Sequence, residues 1–444
     1  MTRSQHYKEL LKLGLPIIVG QLGMIVLSFA DTMMVGRCGT AELGAASFVN
    51  NMFNLAIVFA TGFSYGLTPV AGKLFGADDS AGVGRTLKNA MLVNGLTALG
   101  LVGLMAVLYF NIHHLGQPVE LLPLIRPYYL TLLASLLPVL LFNAFKQFSD
   151  GITDTMTPMF VLIGGNVFNI VGNWLLIYGK CGFPELGLMG AGVATLSSRI
   201  LMLLVFAFVF LTARRYGPYR KGWKSGKINK ADFKTLFAMG MPVGMQMGME
   251  TASFSLSTIM VGWLGTVALA AHQVMITVGQ LGFMVYYGMA AAVAVKTSNY
   301  YGAADYPRVR MSVSSGFRLI LIIAACLSVF LLLVRNHIGM LFSENPEVIA
   351  LTAQLIIPFV IYQFGDGMQC NYSNALRGIS DVKMVSWYAF VAYIIVSLPA
   401  AYVFGFVCGW GLLGIWLSFP LGLTTAGVLF WLRYRSTMGQ ISAR

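Results

Sequence analysis

Three carboxylates in this sequence, Asp31, Glu250 and Asp366, stand inside long apolar stretches. A charge at the centre of a bilayer costs on the order of 2.5–3.5 kcal/mol on insertion scales, so a chain keeps one there for a use. The neighbours have matching chemistry. Tyr362 precedes Asp366 by four residues and Gln246 precedes Glu250 by four, which in a helix puts each pair on one face. Asn169 and Asn173 have the same spacing and offer two amide oxygens towards whatever the first span presents. Carboxylates, amides and a phenol are hard oxygen donors that suit a proton or a small hard cation and do not suit a soft metal. Weighed against a purely structural, hydrogen-bonded role, the three acids read as an ion or substrate site. The asparagines are balanced between that site and helix-to-helix bonding.

The elements that must position these side chains are membrane helices. Hydrophobic residues make up 57% of the chain and charged residues 10%, with a mean hydropathy of +0.75, which excludes an ordinary soluble domain. Crossing the hydrocarbon core takes roughly 20 mostly apolar residues. Twelve stretches qualify, near 13–35, 48–72, 89–110, 122–145, 158–179, 188–212, 236–262, 270–295, 315–334, 349–374, 384–405 and 410–432. Unbroken apolar runs such as Ile200–Leu211 exclude a β-barrel, and the first stretch is too long for a cleaved signal peptide.

The net charge of +13 could suggest nucleic acid, but its distribution follows the bilayer instead. With the N-terminus in the cytoplasm, 24 of the 29 Lys and Arg fall inside; Arg37, Arg126, Lys180 and Arg335 fall outside, and Arg199 lies within a span. That skew is the positive-inside rule and predicts that both termini are cytoplasmic. The largest basic block, Arg214 to Lys234, holds eight Lys or Arg and lies between spans six and seven. The five cysteines show no metal-ligand spacing and read as small core residues. Arg199 is close enough to a span end to snorkel, and His272 reads as a packed polar residue. The 25 methionines and the aromatic side chains of the spans would line a forgiving cavity, although the same residues ordinarily just pack.

Shifted by 226 residues, the sequence overlays on itself. Gly14-Leu15-Pro16 falls on Gly240-Met241-Pro242, Met34-Val35-Gly36 on Met260-Val261-Gly262, and Gly76-Ala77 on Gly302-Ala303. The shift becomes 227 where Gly151 and Asp154 meet Gly378 and Asp381, and 224 where Gly187 and Gly190 meet Gly411 and Gly414. A shared register of glycines and prolines exceeds what membrane-helix composition explains. It predicts two six-helix halves of equal topology about a pseudo-two-fold along the membrane normal. The expected division is an N-lobe over 1–213, a basic cytoplasmic linker over 214–234 and a C-lobe over 235–444. Pro16 and Pro242 are either first-turn prolines or, if deeper, a pair of hinges. The acids do not follow the repeat, since Asp31 aligns with Ser257 and Glu250 with Met24.

These residues resemble the multidrug and toxic compound extrusion (MATE) family, and within it the NorM-type branch. The resemblance covers essentially the whole chain. It rests on Pro16…Asp31-Thr-Met-Met-Val-Gly36, Leu43-Gly-Ala-Ala, Gly151-Ile-Thr-Asp154 and Asn169-Ile-Val-Gly-Asn173-Trp-Leu-Leu-Ile-Tyr-Gly179. Gly187-Leu-Met-Gly190-Ala-Gly-Val-Ala-Thr195 and Asn374-Ala-Leu-Arg377-Gly378 complete it. It implies an all-α fold of two six-helix lobes and export of cationic, lipophilic compounds in exchange for Na⁺ or H⁺. Glu250, Tyr362 and Asp366 match the family's C-lobe cation cluster, with Na⁺ as one occupant; Asp31, Asn169 and Asn173 match the N-lobe polar cluster. Gln246 and the three acids are expected at the substrate cavity.

The expected function is therefore a cation-coupled multidrug antiporter of the bacterial inner membrane, working as a monomer in lipid, with no organic cofactor and no nucleic-acid partner. A lipid-linked oligosaccharide flippase of the same superfamily is the alternative, but it would need several basic residues for a pyrophosphate headgroup. An intramembrane enzyme is the reading from another class, and no HExxH or GxSxG supports it.

Overall fold

The computed structural model describes residues 3–114 and 119–442 and is helical, with no strand among the described residues. Its helices are α1 (Arg3–Gly36), α2 (Thr40–Ser64), α3 (Leu67–Gly76), α4 (Ser80–Phe110), α5 (Leu122–Gly151), α6 (Met156–Ile177) and α7 (Leu188–Thr212). A short α8 (Gly217–Ser225) precedes α9 (Lys230–Gly262), α10 (Thr266–Gly302), α11 (Tyr306–Ile338) and α12 (Pro346–Gly378). Last come α13 (Lys383–Ala389) and α14 (Leu398–Tyr402), separated by a π-helical stretch, Phe390–Ser397, and then α15 (Gly411–Ser442).

Eleven of these helical runs are long and apolar enough to cross a membrane. The twelfth expected span is α9, whose 33 residues match its neighbours in length; its Gly-, Gln- and Glu-bearing centre makes it less apolar. The helices outrun the apolar stretches that reveal them. α10 has 37 residues, or roughly 55 Å at 1.5 Å per residue, against a hydrocarbon core of about 30 Å. The second expected span is broken near Tyr65, α2 and α3 together running from Thr40 to Gly76.

Two compact units divide the chain: unit 1 is Met1–Ile18 with Met245–Arg444, and unit 2 is Val19–Gly244. The start of α1 thus belongs with the second half and the start of α9 with the first, an exchange that the repeat alone did not reveal. Close glycine contacts fix both exchanges. In unit 1, a Cβ on Gly14 would meet Met289 Sδ at 2.7 Å; in unit 2, a Cβ on Gly240 would meet the Phe63 carbonyl at 2.6 Å. Both residues of the first pair are displaced by 226 from their counterparts in the second, so one packing solution is used twice. Pro16 and Pro242 lie more than three turns inside α1 and α9, two residues before each division, so the first-turn reading does not hold.

The basic segment 214–234 is ordered within unit 2. Tyr216 is fully buried, Arg85 Nε pairs with Asp232 Oδ2 at 3.0 Å, and Lys88 Nζ donates to the Gly226 carbonyl at 2.9 Å. The interior of unit 2 nearby is aromatic, with Phe145 stacked on Phe206 and Phe148 and Phe210 against Tyr216.

Candidate functional site

Each unit gathers three of the expected site residues into a polar cluster among its apolar helices. In unit 2 the cluster joins α1 to α6 and α7. Asn173 Nδ2 donates to Asp31 Oδ1 at 2.5 Å and to Asn169 Oδ1 at 3.0 Å. Asn169 Nδ2 in turn faces Thr195 Oγ1 and Ser198 Oγ, both at 3.3 Å. The two asparagines are wholly buried, whereas Asp31 is half-buried. The spacing of four therefore does align the amides, but Asn173 presents nitrogen to Asp31 where the sequence suggested oxygen. An N–H donor is what a carboxylate requires. Arg199 turns inward and does not snorkel: its Nη1 bonds Ser135 Oγ at 2.5 Å, and it lies within Coulombic range of Asp31 and Tyr128.

In unit 1 the cluster lies among α9, α12 and the segment after α13. Asp366 is wholly buried; its Oδ1 accepts a long contact from Cys370 Sγ at 3.6 Å, and its Oδ2 has no hydrogen-bond partner. Gln369 Nε2 donates to Glu250 Oε2 at 3.1 Å and reaches Tyr393 Oη at 2.7 Å. Glu250 and Asp366 interact electrostatically, and Tyr362 interacts with both. The Tyr362 ring is fixed by stacking on Phe359 at 5.2 Å and by an edge contact with Phe254 at 6.4 Å. A buried carboxylate oxygen without a donor is unfavourable as a bare charge. A proton or a small cation would satisfy it.

The comparisons with known proteins agree with this architecture. The MatE family model matches twice, over residues 16–175 and 242–403, once in each half of the repeat. The chain is also 30% identical over 432 residues to Multidrug resistance protein NorM of Aliivibrio fischeri (strain ATCC 700601 / ES114), covering 95% of this chain and 92% of that one. It belongs to the MATE family.

Two solved MATE structures share its fold. The eukaryotic transporter AtDTX14 superimposes with a TM-score of 0.88 at 18% identity, covering 99% of this chain and 98% of that one. A point mutant of the Vibrio cholerae MATE transporter VcmN gives 0.87 at 17% identity, covering 99% and 98%. Membership of the MATE family makes the protein a multi-pass membrane transporter and not an enzyme.

Within this MATE chain, Glu250, Tyr362 and Asp366 come together in unit 1, and Asp31, Asn169 and Asn173 come together in unit 2. Gln246 lies on the Glu250 side of α9, but its amide oxygen is taken by Arg377 Nη2 at 2.9 Å. Gln369 and Tyr393 were not singled out from sequence, and Arg377 entered only within the Asn374–Gly378 motif, with no role at the site. The signal for two of them was present, since Tyr362, Asp366, Gln369 or Cys370, Ser373 and Arg377 form one helical stripe on α12. His272 is a packed polar residue as expected. It is fully buried, its Nδ1 accepts from Trp416 Nε1 at 3.1 Å, and its Nε2 meets Thr258 Oγ1 at 2.9 Å. The indole can only donate, which fixes the Nε2–H tautomer.

Proposed function

We propose that this MATE transporter is an inner-membrane multidrug exporter that expels lipophilic cations by antiport against Na⁺ or H⁺, with both termini in the cytoplasm. The observation that carries the reading is the Glu250–Asp366 pair in unit 1, in which Glu250 is half-buried and Asp366 is wholly buried with its Oδ2 unpartnered. Such a pair favours an incoming positive charge. A cationic drug and a coupling ion would then compete for the negative potential the pair creates. Binding of the ion from outside favours drug release, and it shifts the conformational equilibrium only as far as its affinity differs between the two states. The name of the NorM relative, a multidrug resistance protein, supports the substrate class. The prolines two residues before the unit divisions in α1 and α9 support hinges for alternating access.

The flippase reading loses ground for a structural reason. Among the described residues Lys146 and Arg199 of unit 2 are engaged by an acid and a hydroxyl, and unit 1 buries the single guanidinium of Arg377, not the several basic groups a pyrophosphate needs. The test is efflux of a fluorescent lipophilic cation from vesicles under separately imposed pH and Na⁺ gradients. Glu250→Gln and Asp366→Asn are each expected to abolish gradient-driven efflux. Unchanged efflux and ion dependence in both variants would sink the assignment.

A further inference from the structure

We propose that Arg377 is the permanent counter-charge of the Glu250–Asp366 pair and thereby limits unit 1 to one exchangeable positive charge, a proton or a monovalent cation. The proposal rests on the reading of those acids as the coupling site. It goes beyond that reading by assigning a residue and a stoichiometry.

Arg377 is buried, with 3% of its surface exposed, at the C-terminal end of α12. Only Nη2 has a hydrogen bond, to Gln246 Oε1, and Nε and Nη1 are buried without partners. A guanidinium does not deprotonate in a protein, so this is a fixed positive charge that needs a negative one nearby. The neighbour that meets the need is Glu250, with which Arg377 interacts electrostatically. The helices face each other to allow it. Gln246 and Glu250 lie on one face of α9, while Gln369 and Arg377 lie on one face of α12; Gln246 bonds Arg377 and Glu250 bonds Gln369. Side chains lean towards the N-terminus of their helix, which inclines the guanidinium along α12 towards the acids.

The internal repeat provides the control. In its 227 register, Arg377 falls on Asp150 and Ser373 on Lys146. In unit 2, Lys146 Nζ and Asp150 Oδ2 close a buried pair at 2.9 Å within one helix, which neutralises itself. Unit 1 has lost that closed pair and has gained Gln246 and Glu250, where unit 2 has Gly20 and Met24. Arg377 and Glu250 are thus both present in unit 1, and neither has a like charge at its repeat position in unit 2. The count follows: unit 2 balances Asp31 with Arg199 and Lys146 with Asp150, whereas unit 1 sets two acids, Asp366 wholly buried and Glu250 half-buried, against one buried guanidinium. The other titratable groups around the pair, Tyr286, Tyr362, Tyr393 and Cys370, are uncharged when protonated. One negative charge remains, so one monovalent ion completes neutrality and a second would overshoot it.

The experiment is a binding titration of the purified full-length protein in detergent, following thermal melting against Na⁺ (balanced with choline) and, separately, against pH. Wild type is expected to show a single-ion response with a Hill slope near one, and Arg377→Lys the same. Arg377→Gln should bind the ion at least roughly tenfold tighter, or respond about one pH unit higher, with a slope above one. Arg377→Gln/Glu250→Gln should return to the single-ion response. If Arg377→Gln fails to fold and the double variant folds, the counter-charge role is supported. The proposal is overturned if folded Arg377→Gln titrates as wild type does, or if wild type responds to neither ion. It is also overturned if the double variant fails to fold where Arg377→Lys folds. Failure of the antiport reading would appear separately, as wild-type drug efflux indifferent to both gradients.

Discussion

Replacing Gly190 by alanine should destabilise this transporter, even though alanine is the better helix former. Gly190 is buried in the first turn of α7, where the chain returns against the end of α6. An alanine Cβ there would lie 2.6 Å from the Leu176 carbonyl oxygen, 2.7 Å from its carbon and 2.9 Å from Ile177 N. Ordinary contact begins near 3.4 Å, so the two helices must part by close to an ångström, and a backbone cannot rotate aside as a side chain does. Overpacking of this kind costs about 1–3 kcal/mol. The helix-propensity gain of Gly→Ala returns at most ~1 kcal/mol, leaving a net loss of up to about 2 kcal/mol. For a unit the size of Val19–Gly244 that lowers the melting temperature by up to roughly 8 °C. Gly164 is the internal control, on α6 with nothing within 4 Å of the position a Cβ would take. Its alanine variant should melt at or slightly above the wild-type temperature. Gly414, the repeat counterpart, would press a Cβ on the Phe404 carbonyl and should lose stability as Gly190 does. Melting in detergent followed by fluorescence-detected size exclusion measures all three. Gly190→Ala as stable as Gly164→Ala would refute the close-packing argument.

Two further outcomes are expected. Asp154 is gripped in the turn after α5 by Tyr216 Oη at 2.7 Å, Thr157 Oγ1 at 2.8 Å and Arg215 Nη1 at 2.8 Å. Partial burial opposes its charge, but these hydrogen bonds outweigh it and hold the carboxyl below its ordinary value of 3.8. Its stabilising contribution is then complete above that ordinary value and is lost as pH falls through the lower folded one. Asp154→Asn should therefore melt below wild type at pH 6, with the gap narrowing below pH 4; a gap constant with pH would count against the clamp. Pro16→Ala and Pro242→Ala should each raise the melting temperature, since proline inside a helix costs ~3 kcal/mol relative to alanine. If the prolines are hinges, both variants should also slow drug efflux in vesicles; faster or unchanged efflux would show that they are not.

The helices were legible because a span must be long and apolar, and the two halves because Gly14, Gly240, Gly190 and Gly414 sit where another backbone or side chain approaches closely. The exchange of the first helices was not legible. Similarity divides the chain where the repeat restarts, whereas packing divides it where α1 and α9 change neighbours, in the middle of each helix. The same difference separates the site residues that sequence exposed from those it missed. Asp31, Glu250 and Asp366 announce themselves by being costly in lipid. Arg377 does not, because an arginine at the end of a span ordinarily reaches water, and only its burial shows that it fails to.

Partnership between helices leaves no period in a sequence. Gln246 and Arg377 are 131 residues apart and Glu250 and Gln369 are 119 apart, so neither pair can be found by spacing along one helix. The repeat can find them indirectly. A duplicated scaffold predicts the same residue twice, and each position where unit 1 departs from unit 2 asks for a second departure to balance it. Glu250 in place of a methionine is an uncompensated buried charge by itself, and Arg377 in place of an aspartate is another. Each makes physical sense only in the presence of the other. The asymmetry that sets the acids apart from the repeat thus also identifies the cation they are built around.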